Sequence, residues 1–250
     1  MTRTRRAGIV CAIALLAGAL MNCGGSSSSS TAAPPPPPSV SLAGVWTATD
    51  TRSTTYHVLV LPTSFTFRSL DSNMLQGSGK FTLSGSTLGG TITVFPTAAL
   101  ISIGYPVQQG TISGTGSASA ITDTITLDAG TATTSLTPDT PNNRTVQLSA
   151  LAGTYAADAA NTASSAGGNL TLAADGSLTG SDPGGTLAGT FQQVAPGVNA
   201  FNVAITYTPA GAAPKAYAGL AFYRPGTGPS IVLMTDNGTG QLAGIFTKVP

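Results

Sequence analysis

Between residues 41 and 250 the chain consists of short runs in which apolar and small polar residues alternate, each ended by a turn signal. Tyr56-His57-Val58-Leu59-Val60-Leu61, Phe65-Thr66-Phe67, Thr91-Ile92-Thr93-Val94-Phe95 and Thr124-Ile125-Thr126-Leu127 are examples. Successive side chains on a strand point to opposite faces, so a period of two specifies half-buried β-strands, and no stretch shows the 3.6-residue spacing of an amphipathic helix. Thr and Val suit a pleated surface, and the chain contains no glutamate, a common helix former. The fold class expected is all-β.

Two halves are distinguishable. The first opens with Leu42-Ala43-Gly44-Val45-Trp46 and the second with Leu151-Ala152-Gly153-Thr154-Tyr155. Gly77-Ser78-Gly79-Lys80-Phe81 in the first has a counterpart in Gly185-Thr186-Leu187-Ala188-Gly189-Thr190-Phe191. A repeat of about a hundred residues is too long for a solenoid unit and fits two related lobes. In the second half, strands are predicted over 150–157, 167–174, 176–182, 186–195, 200–208, 215–224, 230–236 and 241–249. Asp175-Gly176 and Asn237-Gly238 are hairpin signals, because glycine readily takes the positive φ such turns need. Short connections make consecutive strands antiparallel neighbours, and eight of them remove both open edges by closing into an up-and-down barrel. The first half supports a similar count less cleanly, and Thr131 to Thr145, with Pro138 and Pro141, reads as an irregular connection between two similar antiparallel barrel-like lobes.

Ahead of the lobes, Arg3, Arg5 and Arg6 precede an apolar run from Ile9 to Met21, then Cys23, Gly24-Gly25 and five serines. A positive head and an apolar run too short to span a bilayer read as a processed secretory signal over 1–22. Leu20-Met21-Asn22-Cys23 stands where a bacterial lipoprotein signal places a lipid-accepting cysteine, making Cys23 the lipidation site. Cleavage after Ala17-Gly18-Ala19 is the alternative, with Cys23 an unpaired thiol. Cys11 lies inside the signal, so a chain beginning at Cys23 has a single cysteine and no disulfide. Several acyl chains, at roughly 0.8 kcal/mol per buried CH₂, anchor a protein to a membrane. Gly24, in place of the Asp that often retains lipoproteins in the inner membrane, resembles an outer-membrane address, with the periplasmic and surface faces both open. Residues 23–40 are a tether: Ser and Gly make a flexible coil and Pro34 to Pro38 a polyproline II rod. The lobes are then 41–146 and 147–250.

Beyond the signal, seven cations (Arg52, Arg68, Lys80, Arg144, Lys215, Arg224, Lys248) stand against nine acids, all Asp. Sparse, balanced charge excludes the cationic cluster that nucleic acid demands. A Ser-His-Asp hydrolase needs a histidine beside its serine, and the only one, His57, lies in an alternating run that makes it a surface or hydrogen-bonded strand residue. One histidine and no cysteine beyond the lipid site exclude a structural zinc site on ligand count, so no metal and no cofactor is expected. Asp236-Asn237-Gly238-Thr239-Gly240 resembles the start of a calcium loop but lies between two strands, as a hairpin would. Asp175, Asp182 and Asp236, candidates for paired catalytic carboxylates, all sit in turn contexts. Phe201, Tyr207, Tyr217, Phe222, Tyr223 and Phe246 either pack a barrel or line its cavity, with Tyr217 and Tyr223 on one face and Phe222 on the other.

The progression from Tyr56-His57-Val58-Leu59-Val60-Leu61-Pro62 through Leu75-Gln76-Gly77-Ser78-Gly79 to the Leu151 opener resembles a group of uncharacterised proteobacterial lipoproteins. Asn199 to Tyr207 and Tyr217 to Tyr223 are similar to it as well. Members of that group often carry a cysteine pair in the second lobe, which this chain lacks, and the resemblance implies no established activity. Ala174 to Gly180 and Ile245 to Val249 are similar to the early hairpin and last strand of avidin-type eight-stranded barrels. That likeness implies architecture alone, since biotin barrels use several tryptophans and the only one here is Trp46, in the first lobe. The expectation is a non-enzymatic, lipid-anchored envelope protein meeting the membrane through its anchor and a protein partner through loops or exposed strands. The alternative is a barrel that holds a small apolar or sugar-like ligand.

Overall fold

The computed structural model describes residues 40–70, 74–162, 168–196 and 198–250; the signal, Cys23 and nearly all of the tether lie outside them. Two eight-stranded antiparallel barrels account for almost all of these residues. The first contains β1 (Gly44–Asp50), β2 (Thr55–Val60), β3 (Ser64–Ser69), β4 (Gln76–Ser84), β5 (Thr87–Phe95), β6 (Gln108–Gly116), β7 (Ile121–Leu127) and β8 (Gly130–Pro138). The second contains β9 (Gly153–Thr162), β10 (Asn169–Leu172), β11 (Ser177–Asp182), β12 (Gly185–Gln193), β13 (Phe201–Pro209), β14 (Lys215–Arg224), β15 (Ser230–Asp236) and β16 (Gln241–Lys248). Each strand pairs with the next and each circuit is closed: β8 returns to β1 with Trp46 opposite Pro138 and Asp50 opposite Thr134, and β16 returns to β9 with Lys248 opposite Tyr155. Both barrels belong to one compact unit, Pro38–Pro250.

Three details differ from the sequence expectation. Residues 131–138 are not part of an irregular connection but most of β8, whose Thr and Ala residues pair with β7 and β1; the inter-barrel link is shorter. The second barrel opens with a 3₁₀ turn, Leu148–Leu151, so its first strand begins at Gly153 rather than 150. A short helix, α1 (Ala98–Ser102), interrupts the β5–β6 connection, with the Thr97 hydroxyl capping Leu100 N–H at 3.3 Å.

The two openers are structurally equivalent. Gly44 and Gly153 both have φ of 147°. Trp46 Nε1 donates to the Leu42 carbonyl at 2.9 Å and the Tyr155 hydroxyl donates to the Leu151 carbonyl at 2.5 Å, so an aromatic four residues on closes each turn. Both rings are buried in the apolar cores of their barrels. The hairpin signals act as expected. Gly176 and Gly238 sit at positive φ, with Asp175 Oδ1 accepting from Ser177 N–H and Asn237 Oδ1 from Thr239 and Gly240 N–H.

The described residues form three apolar clusters. One lies inside each barrel, and the third lies between them. The third joins Val45 and Leu59 on the outside of β1 and β2 to Leu220, Phe222, Val232, Met234 and Ile245 on the outside of β14–β16. That contact explains why β15 is buried at six consecutive positions, a pattern with no solvent face. Polar links flank it. Asn199 Nδ2 donates to the carbonyls of Asn142 (2.8 Å) and Tyr223 (2.6 Å), and Gln241 Nε2 to those of Met74 (2.9 Å) and Phe95 (3.0 Å).

Candidate ligand-binding site

The interiors of the two barrels are built differently. Inward positions of β14 are Tyr217, Gly219, Ala221 and Tyr223, and those of β16 include Leu242 and Phe246; with Tyr155, Phe191 and Phe201 these side chains pack the second barrel. At the matching places in the first barrel β6 carries Gln108, Gly110, Ile112 and Gly114 and β8 carries Ala132, Thr134 and Leu136. These residues put much less volume inward. On β4 the inward glycines serve a different end. Gly77 lies opposite Phe67 and Gly79 opposite Phe65, and a Cβ on Gly77 would stand 2.2 Å from the Phe67 ring. The bare backbone is what lets those rings lie flat against the wall.

The outcome is a cavity of about 550 Å³ in the first barrel. Leu42, Phe81 and Leu88 are among its walls toward the end where β1 begins. Toward the other end stand Leu75, Pro96, Leu100, Tyr105, Pro106 and the β7–β8 turn, so α1 and its loop form one side of a mouth. Outside that mouth Ile103 is 74% exposed and Tyr105 52%. A volume of this size, largely apolar and with a few polar groups, is typical of a small-molecule site.

The polar groups are concentrated on one stretch of wall. Pairing places Asp123 of β7 beside Thr134 of β8, and Thr134 beside Asp50 of β1. Asp50 is occupied by its own turn: Oδ1 accepts from the N–H groups of Arg52 (2.9 Å) and Thr54 (2.8 Å), and Oδ2 from the Tyr56 hydroxyl (2.9 Å). Asp123 accepts a short hydrogen bond from the Thr134 hydroxyl. Burial pushes the Asp123 carboxyl above the usual aspartate range, and the Thr134 hydroxyl draws it part of the way back. Arg52, exposed at the mouth, is the one cationic side chain among the described lining residues.

The residues singled out by sequence lie elsewhere. Asp175, Asp182 and Asp236 hold turns: Asp182 Oδ1 accepts from Gly184 N–H (2.8 Å) and the Tyr207 hydroxyl (3.1 Å), and Asp236 Oδ1 from Gly238 N–H (3.1 Å). Asp236 to Gly240 is the β15–β16 hairpin. Phe201 and Phe246 pack the second barrel, Tyr207, Tyr217 and Tyr223 pack against its core, and Phe222 faces the first barrel. His57 is neither on the surface nor hydrogen-bonded. It is buried, both ring nitrogens are without a hydrogen-bond partner among the described residues, and its ring meets that of Phe222 edge-on at 5.5 Å. Alternation put it correctly on the outside of its barrel, but the second barrel covers that outside. Cys23 lies outside the described residues. The acids that do converge, Asp50 and Asp123, were passed over by sequence reasoning. The available signal was parity, since Asp123 occupies the apolar phase of Ile121-Thr122-Asp123-Thr124-Ile125.

No protein-family model, curated protein or solved structure matches the chain.

Proposed function

We propose that this chain is a lipid-anchored envelope protein whose first barrel binds a small, largely apolar molecule and whose second barrel is its structural support. The observation that carries this reading is the cavity of about 550 Å³, apolar over most of its wall and open beside α1. A barrel evolved only as an interaction surface gains nothing from leaving its core unfilled, because each unfilled volume forfeits packing energy. The exposed Ile103 and Tyr105 at the mouth give an apolar ligand a surface to cross on its way in. Cys23, by resemblance to lipoprotein signals, supplies the anchor, and the tether supplies reach. This reverses the order of the two sequence-based expectations, placing the ligand-binding barrel ahead of the interaction module.

The deciding experiment uses a neutral environment-sensitive fluorophore, N-phenyl-1-naphthylamine, with residues 38–250. Saturable fluorescence enhancement is expected. Ala48→Phe projects a ring into the cavity from β1 and should abolish the enhancement while leaving the melting temperature equal or higher. Enhancement that survives this change would place the dye elsewhere and sink the proposal. The anchor is tested separately: Cys23→Ser should move the protein from the membrane to the soluble fraction, and continued membrane fractionation would remove lipidation from the account.

A further inference from the structure

We infer that the ligand of the first barrel carries a hydrogen-bond-donating, cationic amine head, which Asp123 receives half-way down the cavity wall. This rests on the reading of that barrel as a binding site and adds the chemistry of the occupant. On β7 the inward residues run Ile121, Asp123, Ile125, Leu127 from the closed end toward the mouth, so Asp123 has apolar neighbours both below and above it on its own strand. An aspartate in a sheltered apolar wall is costly, and a structural reason for it should show as saturated hydrogen bonding. Asp50 has that reason, with three donors closing its turn. Asp123 closes no turn and holds no strand end, and the donor recorded for it is the Thr134 hydroxyl. Its carboxylate therefore retains acceptor capacity within the cavity.

Charge selects among possible heads. The ionisable side chains on the described wall are Asp50, Asp123 and Arg52, together with the phenols of Tyr56 and Tyr105. Two carboxylates against one exposed guanidinium leave the interior net negative. A fatty carboxylate brought to the depth of Asp123 would meet a like charge at reduced dielectric, whereas an ammonium there satisfies both its own donors and the aspartate. The hydrocarbon part of the ligand then fills the end lined by Leu42, Phe81 and Leu88.

The test is competition against bound N-phenyl-1-naphthylamine by three molecules with the same tail: dodecylamine, dodecanol and dodecanoic acid. Dodecylamine is expected to compete at least about tenfold better than dodecanoic acid, the worth of one charge-assisted hydrogen bond over a like-charge contact. In D123N that ratio should collapse toward one. If D123N fails to fold, Asp123→Thr, matching its strand neighbours, gives the same readout. Dodecanoic acid competing as well as dodecylamine, or a ratio unchanged in the variant, overturns the head-group inference and leaves the binding barrel standing. No binding of the fluorophore to the unaltered protein overturns the binding barrel itself, and this inference with it.

Discussion

Phe222→Ala is expected to destabilise the protein by about 3–5 kcal/mol, the range for emptying a fully buried phenylalanine site, and to split its unfolding into two transitions. Phe222 has no exposed surface, yet it contributes nothing to the interior of its own barrel. It points outward from β14 into the apolar layer shared with Val45 and Leu59, with His57 against its ring. Truncation would leave a cavity between two objects that are each closed by their own ladders, so the loss falls on the joint. Differential scanning calorimetry should show one transition for the parent and two for the variant, with Phe222→Leu in between. A single transition in Phe222→Ala, shifted by less than a degree, would mean that the layer between the barrels does not couple them.

Acidification from pH 7 to pH 4 is expected to remove about 3 kcal/mol of stability through His57 alone. Burial, reinforced by the cationic Arg224 and Arg68 and opposed by Asp139, lowers its pKa from 6.5 to about 4. The fold therefore holds the neutral imidazole, while the unfolded chain takes up a proton as pH falls through 6.5. Between these two values the unfolded state binds more protons, so stability rises with pH across that window, is complete above it and is lost by its lower edge. Asp123 and Asp236, both raised by burial, act in the opposite sense toward the acid end. The informative quantity is thus the difference between the parent and His57→Phe at each pH, from urea unfolding. The variant should flatten the curve between pH 6.5 and 4; equal slopes would show that His57 is hydrated and free to charge in the folded protein.

Much of the architecture was legible because barrels are specified locally. The strands predicted over 215–224 and 230–236 match β14 and β15 to the residue, since alternation and turn chemistry are properties of adjacent positions. The Leu42 and Leu151 openers likewise revealed the repeat as matching runs of adjacent residues, and the structure adds the contact that each makes four residues on. What escaped was collective. Whether a barrel is hollow depends on the summed volume of eight inward rows, and no single run shows that Gly110, Gly114 and Ala132 face one another's space while Tyr217, Tyr223 and Phe246 fill theirs. The joint between barrels also escaped a reading based on alternation. Its traces are the stretches where alternation fails, such as Ile231-Val232-Leu233-Met234, because both faces there are covered. Asp123 was hidden for a related reason, as its significance comes from what the opposite walls leave empty.

The closing ladder of the second barrel has a consequence for the order in which the protein can be made. β16 is the last strand of the second barrel to be synthesised, and it must reach back to β9, pairing Phe246 with Ala157. Until it does, β9 and β15 are open edges. Ile245 is also missing from the layer that covers Leu59. Synthesis proceeds from the N-terminus, so the first barrel waits with its apolar flank incompletely covered until the eight residues of β16 are in place. Chains cut short by even that one strand carry two adhesive features at once, an unpaired edge and a greasy side. Closure of β16 on β9 is thus the step that removes both the open edge and the last gap in the apolar layer.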